Sequence, residues 1–101
     1  VPCITTDLAG FGLWANKVRG TLSTIMDGVE VVHRTDYNYA DVVAGVEDTV
    51  ARYASLPASA VRSCRTRAHR LAKQALWSRF IAYYREAYDI ALRRAEARCD
   101  Q

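Results

Sequence analysis

The sequence predicts an α/β fold: two parallel strands followed by a mostly helical carboxyl-terminal region. Three observations predict it. Val1–Thr6 is β-branched and apolar and runs into a turn at Asp7-Leu8-Ala9-Gly10. A second short apolar run follows at Val29–His33, and from about residue 38 onward the apolar positions recur at helical spacing. Strand, helix and strand within about thirty residues make a βαβ unit, whose crossover is expected to be right-handed.

Each element has its own signal. Val1–Thr6 shows little alternation, as expected of a buried parallel strand. Gly10-Phe11-Gly12 opens a helix through about Val18 that contains Leu13 and Trp14, and Gly20 stops it. Residues 20–28, rich in Thr, Ser and Gly, read as a loop. In the second strand Val29 and Val31 share one face, Glu30 and Val32 the other. Asp36 or Asn38 caps the next helix, whose apolar positions are Val43, Val46, Val50 and Tyr53. Ser55-Leu56-Pro57 ends it, because proline cannot continue a helix and suits the first turn of another. The following helix carries Val61, Cys64, Ala68, Leu71 and Ala75 on one stripe. The last, from about Gln74, puts Trp77, Phe80, Ile81, Tyr84, Tyr88, Ala91, Leu92 and Ala95 on one face, which calls for a large apolar surface to lie against. Two strands with open edges are few for a parallel sheet, which is normally covered on both faces. We therefore expect the chain to be the carboxyl-terminal part of a doubly wound domain, in keeping with a start at Val1 and a single methionine at Met26.

Composition narrows the function classes. Half of the 101 residues are apolar and a quarter charged, which excludes wholesale disorder. The longest stretches without Asp, Glu, Lys or Arg are nine residues (8–16 and 53–61), against the roughly twenty needed to span a bilayer, so no membrane partner is expected. No secretory signal pattern opens the chain, and a cytoplasmic location is expected. Cys3, Cys64 and Cys99 lack metal-ligand spacing and read as reduced thiols, with a Cys3–Cys64 disulfide left open. No metal or cofactor is expected. Net charge is +3, but residues 1–50 carry −4 and residues 51–101 carry +7, ten of the latter half's eleven cations being arginine. Such a half attracts anions, or it is the solvated face of a helix.

The candidate site residues are few. Thr5, Thr6, Gly10, Phe11 and Gly12 form a strand-to-helix turn of the kind that meets ligands in doubly wound sheets. Its glycines either let backbone approach a phosphate or sugar, or simply serve a tight turn that needs positive φ. Arg62, Arg65, Arg67 and Arg70 make a basic patch for a phosphate effector, a nucleic acid or an acidic partner, or merely a solvated face. His33 and His69 are isolated, without a companion Asp, Ser or Cys at useful spacing, and read as structural or surface histidines. Asp36-Tyr37-Asn38-Tyr39 reads equally as a binding loop or as capping and packing, and Glu47-Asp48 point apart on a helix. No residue of the chain is nominated as catalytic.

The opening V-P-C-I-T-T-D-L-A-G-F-G resembles the V-P-x-[IV]-T-T-[ND]-L-[SA]-G-F-G of glycogen synthases of the animal and fungal type, over twelve consecutive positions. Arg70-Leu71, Trp77 and Tyr83-Tyr84 look like that family's R-L-S-D-L-L-D-W and the tyrosine pair that follows it. Gly28–Arg34 matches the intervening strand in style only, and the resemblance spans nearly the whole chain. It implies a retaining glycosyltransferase of two Rossmann-like domains, the GT-B arrangement. Residues 1–55 would close the nucleotide-sugar-binding domain, and residues 56–101 would pack back across the domain pair. The implied reaction moves glucose from UDP- or ADP-glucose to the non-reducing 4-OH of an α-1,4-glucan in glycogen biosynthesis. The resemblance puts the catalytic glutamates in an E-x7-E motif just upstream of Val1, with the lysine and arginine that neutralise the leaving diphosphate earlier still. Thr5 to Gly12 would then be the edge of the donor site, and the fragment alone would be inactive.

Departures from the family also carry information. Eukaryotic relatives bind a sugar-phosphate activator on a dense arginine helix. Arg62, Arg65, Arg67 and Arg70 fall in that helix here, but Ala58 and Ser59 thin it, and Lys73-Gln74 replaces an acidic helix start. This points to a bacterial-type enzyme in which sugar-phosphate activation is in doubt. Homo-oligomerisation is left open. The alternative from another class is an autonomous basic helical module for nucleic acid or an acidic protein; with the resemblance, nucleic acid is the weaker expectation.

Overall fold

The computed structural model describes residues 1–100. The elements are β1 (Cys3–Thr6), α1 (Gly10–Arg19), a 3-10 turn η1 (Ile25–Asp27), β2 (Val29–Val32), α2 (Tyr39–Ala54), α3 (Ala58–Gln74) and α4 (Trp77–Cys99). They fall into two compact units, Val1–Leu71 and Ala72–Gln101.

In the first unit β1 and β2 pair in parallel, with Cys3 opposite Val29 and Thr6 opposite Val32. The α/β class and the parallel pair are as the sequence predicts. α1 joins the strands. Its amino end has no side-chain cap and no acid in the first turn, while Lys17 and Arg19 lie in the last turn, where cations oppose the helix dipole. Gly20 closes it at φ 72°, donating its N–H to the carbonyls of Asn16 (2.9 Å) and Lys17 (3.2 Å). The chain then forms η1 where a plain loop was expected. Asp27 accepts from the N–H and hydroxyl of Thr24, a capping box whose Thr-x-x-Asp spacing is in the sequence.

The core of this unit is Ala15, Val29, Val31 and Leu71, with Trp14 packed against it. Val29 and Val31 are buried and Glu30 and Val32 half-buried, the alternation expected of β2. The outer edge of β2 is closed by one residue. Ser23 offers its carbonyl to the Val31 N–H (3.0 Å), and its hydroxyl donates to the Val29 carbonyl (2.6 Å). α3 comes down over η1 with Cys64, Ala68 and Leu71 buried, as its stripe predicts. The contact is close enough that a Cβ on Gly28 would strike the Ala68 backbone. Gly28 also has φ 94°, which only glycine adopts readily.

Two helices differ from expectation. α2 buries Val42 and Thr49 and packs Gly45 on Val32, whereas of the expected stripe Val43, Val46 and Val50 are exposed and Tyr53 is half-buried. Its apolar residues wrap more than one face, so the spacing of valines alone did not identify the packed side. In the second unit α4 begins at Trp77, after Ala75 leaves the helical path, and no residue of it is buried. Trp77 and Tyr84 lie against each other with ring centres 5.1 Å apart and planes tilted by 50°. All three cysteines are free: Cys64 is buried with its thiol 4.0 Å from the Met26 sulfur, so the Cys3–Cys64 disulfide is not formed.

Candidate functional site

The carboxyl ends of β1 and β2 bring two loops together. From β1 the chain passes through Asp7-Leu8-Ala9 into α1, and from β2 through His33–Asn38 into α2. Thr5 and Thr6 lie half-buried in β1, opposite Val31 and Val32. Gly10 is exposed, and a Cβ there would meet nothing within 4 Å. Gly12 is buried, and a Cβ there would collide with the Thr6 carbonyl. The glycines of the turn therefore differ in role: Gly12 lets α1 sit directly on the strand backbone, and Gly10 keeps the approach to the helix open. Neither has positive φ, so the tight-turn explanation for this pair does not hold. Phe11 is exposed on α1, its ring centre 5.7 Å from that of Trp14. All five predicted residues thus fall at one strand–helix junction. There the first N–H groups of an uncapped helix are available to an oxyanion.

Asp7 ties this junction to the second loop. Its Oδ2 lies 2.5 Å from His33 Nδ1, and its Oδ1 accepts the Arg34 N–H at 2.8 Å. The Arg34 N–H, and after it His33, hold the Asp7 carboxyl below the usual carboxylate range. His33 therefore does have an acidic companion, which its position 26 residues away in the chain concealed. Asn38 stiffens the same loop, donating from Nδ2 to the His33 carbonyl (2.9 Å) and accepting the Thr35 N–H (2.6 Å). Thr35 in turn accepts the Tyr37 N–H at 3.2 Å. Asn38 precedes α2 but makes no side-chain cap bond to it; its amide is spent on the loop. Asn at that position was legible as a cap, and its actual use was not.

The arginines of α3 are all exposed, but they are not equivalent. Arg67 donates from Nη1 to the Met26 carbonyl at 2.9 Å and so holds η1 under the helix. Arg62, Arg65 and Arg70 project from the exposed surface of α3 without that tie. Elsewhere in the first unit, Arg52 joins Asp48 (2.8 Å) and Glu30 (3.3 Å), and Arg19 joins Asp27 (3.1 Å).

An apolar recess of about 190 Å³ opens at the other end of β1. Pro2, Cys3, Ile4, Ile25, Val50 and Tyr53 are among its lining residues. Burial there pushes the Cys3 thiol up from its usual range. No group of three or more His, Cys, Asp or Glu that could hold a metal ion occurs among the described residues. No helix among them is long and apolar enough to cross a membrane. Compared with known protein families, with curated proteins and with solved structures, the chain yields no match.

Proposed function

We propose that the chain is the carboxyl-terminal part of a bacterial-type, cytoplasmic glycosyltransferase similar to glycogen synthase, in which it completes the Rossmann-like, nucleotide-sugar-binding domain of a GT-B enzyme. The substrates would be UDP- or ADP-glucose and the non-reducing end of an α-1,4-glucan. The observation that carries this reading is the twelve-residue motif Val1–Gly12, together with the form it takes. It is a strand, a turn and an uncapped helix, with Gly12 pressed on the Thr6 carbonyl and Gly10 open. In doubly wound sheets this junction is where the phosphates of a nucleotide lie, against backbone N–H groups at a helix start.

The sheet edge adds support. In a parallel ladder alternate residues face opposite neighbours. Cys3 and Asp7 donate toward β2, which leaves the N–H groups of Ile4 and Thr6 and the carbonyls of Pro2 and Ile4 directed outward. Thr6 is already served on that side, its carbonyl accepting the Ala9 N–H at 3.2 Å. Ser23 seals the edge of β2, so the two-stranded sheet is closed on one side and open on the other. An additional strand of the same domain would meet two donors and two acceptors there and place apolar side chains in the recess beside Ile4, Val50 and Tyr53. The bare faces of α2 and α4 fit the same reading, α4 being the helix that would pack across the domain pair.

On this reading the backbone of Thr6–Gly12 borders the donor diphosphate. The catalytic carboxylates lie in an E-x7-E segment upstream, and Arg62, Arg65 and Arg70 remain the candidates for a sugar-phosphate contact. The full-length protein encoded by the gene should transfer glucose from UDP- or ADP-glucose to glycogen. No transfer from either donor, with salt-dependent binding to DNA or RNA instead, would favour a basic helical module.

A further inference from the structure

We propose that His33 is a positioning residue for the donor-side turn: through Asp7 it holds the β1–α1 junction at the carboxyl end of the sheet. The proposal rests on the assignment of Thr5–Gly12 to the donor site. Of the turn residues Asp7, Leu8, Ala9 and Gly10, Asp7 alone has a polar side chain. Both of its oxygens are directed to the second loop, one to His33 Nδ1 and one to the Arg34 N–H. A carboxylate only accepts hydrogen bonds, so His33 Nδ1 carries the shared proton. The backbone runs the same way, the Asp7 N–H donating to the Val32 carbonyl at 3.1 Å.

The loop that receives Asp7 is braced. Its His33 carbonyl takes the Asn38 amide at 2.9 Å, and Asn38 Oδ1 takes the Thr35 N–H at 2.6 Å. A continuous chain of bonds therefore runs from the turn before α1, through Asp7 and His33, to the start of α2. The His33 side chain is 69% exposed, so the pair buries little surface and adds little to global stability. What it does determine is where one loop stands relative to the other. Without His33 the Asp7 carboxylate loses its one side-chain partner and keeps backbone N–H donors, so the turn loosens without the fold being lost.

The test uses the full-length protein with His33→Ala and His33→Asn, the second retaining an N–H donor near the place of Nδ1. His33→Ala should raise KM for the nucleotide-sugar donor by roughly tenfold with kcat unchanged, the loss of one charge-assisted bond acting on binding alone. His33→Asn should restore most of it. Amide hydrogen exchange at residues 8–12 should quicken in His33→Ala and return toward wild type in His33→Asn. An unchanged KM and unchanged exchange in His33→Ala would overturn the proposal, and so would a loss that His33→Asn does not repair. If neither UDP-glucose nor ADP-glucose is a donor for the wild type, the functional assignment fails, and the exchange rates alone decide whether His33 holds the turn.

Discussion

Single atoms decide several of these assignments. Gly10 and Gly12 are two residues apart in one helix, yet they should respond oppositely to alanine. At Gly12 the new methyl would enter the space of the Thr6 carbonyl, and Gly12→Ala should destabilise by about 2 kcal/mol or more, as overpacking against fixed backbone does. At Gly10 the methyl meets nothing, and Gly10→Ala should be neutral or stabilising by up to about 1 kcal/mol through helix propensity. Urea unfolding of both variants checks the pair. The arginines of α3 differ in the same way. Arg67→Ala removes the bond to the Met26 carbonyl and should cost about 1 kcal/mol, while Arg65→Ala should stay within about 0.5 kcal/mol. Charge reversal at Arg67 would therefore confound structure with effector binding, and Arg65 is the cleaner site for probing a sugar phosphate. Asp7 supplies a pH prediction. Its folded pKa is depressed, so its contribution is present above the unfolded carboxyl value and is lost as pH falls through the folded one. The effect is small because the pair is exposed: the urea midpoint should fall slightly further once pH drops below the ordinary carboxyl value of about 4, and Asp7→Asn should remove that increment.

At the scale of elements, β2 depends on a residue outside any strand. Ser23 is 1% exposed and makes both bonds that close the β2 edge. Ser23→Ala should cost about 1–3 kcal/mol by leaving the Val29 carbonyl without its donor, which thermal unfolding would register. Much of this architecture was legible in the chain. Both strands announced themselves by β-branched runs, α1 by the glycine that ends it, and α3 by Cys64, Ala68 and Leu71 at helical spacing. What was not legible has physical reasons. A run such as Leu22-Ser23-Thr24 carries no periodicity, so the Ser23 seal could not be read from spacing; the only local sign of η1 was the Thr24-x-x-Asp27 spacing, inside a stretch otherwise composed like a loop. α2 has apolar residues around most of its girth, and which arc is buried depends on the fit of Gly45 to Val32, a contact between residues distant in sequence. The junction residues Thr5–Gly12 were found from a local motif, but the Asp7–His33 pair was not. Side chains from two loops meet only after the strands have come into register.

Across the whole molecule, apolar surface is distributed unevenly. The first unit has a small core centred on Ala15, Val29, Val31 and Leu71. Val43, Val46 and Val50 of α2 remain 47%, 36% and 54% exposed, although three valines along one helix face are more than isolated surface apolar residues usually amount to. Trp77, Tyr84, Tyr88 and Leu92 of α4 are exposed as well. Such faces mark surfaces for other protein on the reading adopted above. Val43→Lys should change the stability of the 101-residue chain by less than about 0.5 kcal/mol, since nearly half of the side chain is already open to solvent. The same substitution in the full-length protein should lower its melting temperature clearly. Equal shifts in both would show that the valine face is free in the intact protein too.

The chain's single methionine falls in the connection between two parallel strands. Met26 is 38% exposed, on the surface side of its contacts with Cys64 and Arg67. Cyanogen bromide would therefore cut the polypeptide once, into residues 1–26 and 27–101, and leave β1 on one piece and β2 on the other. The strand pair would become a junction between two molecules, and folding of the core would turn from a unimolecular into a bimolecular event. Recovery of structure on mixing the pieces would then depend on their concentration, which converts the parallel pairing into a quantity measurable as a dissociation constant.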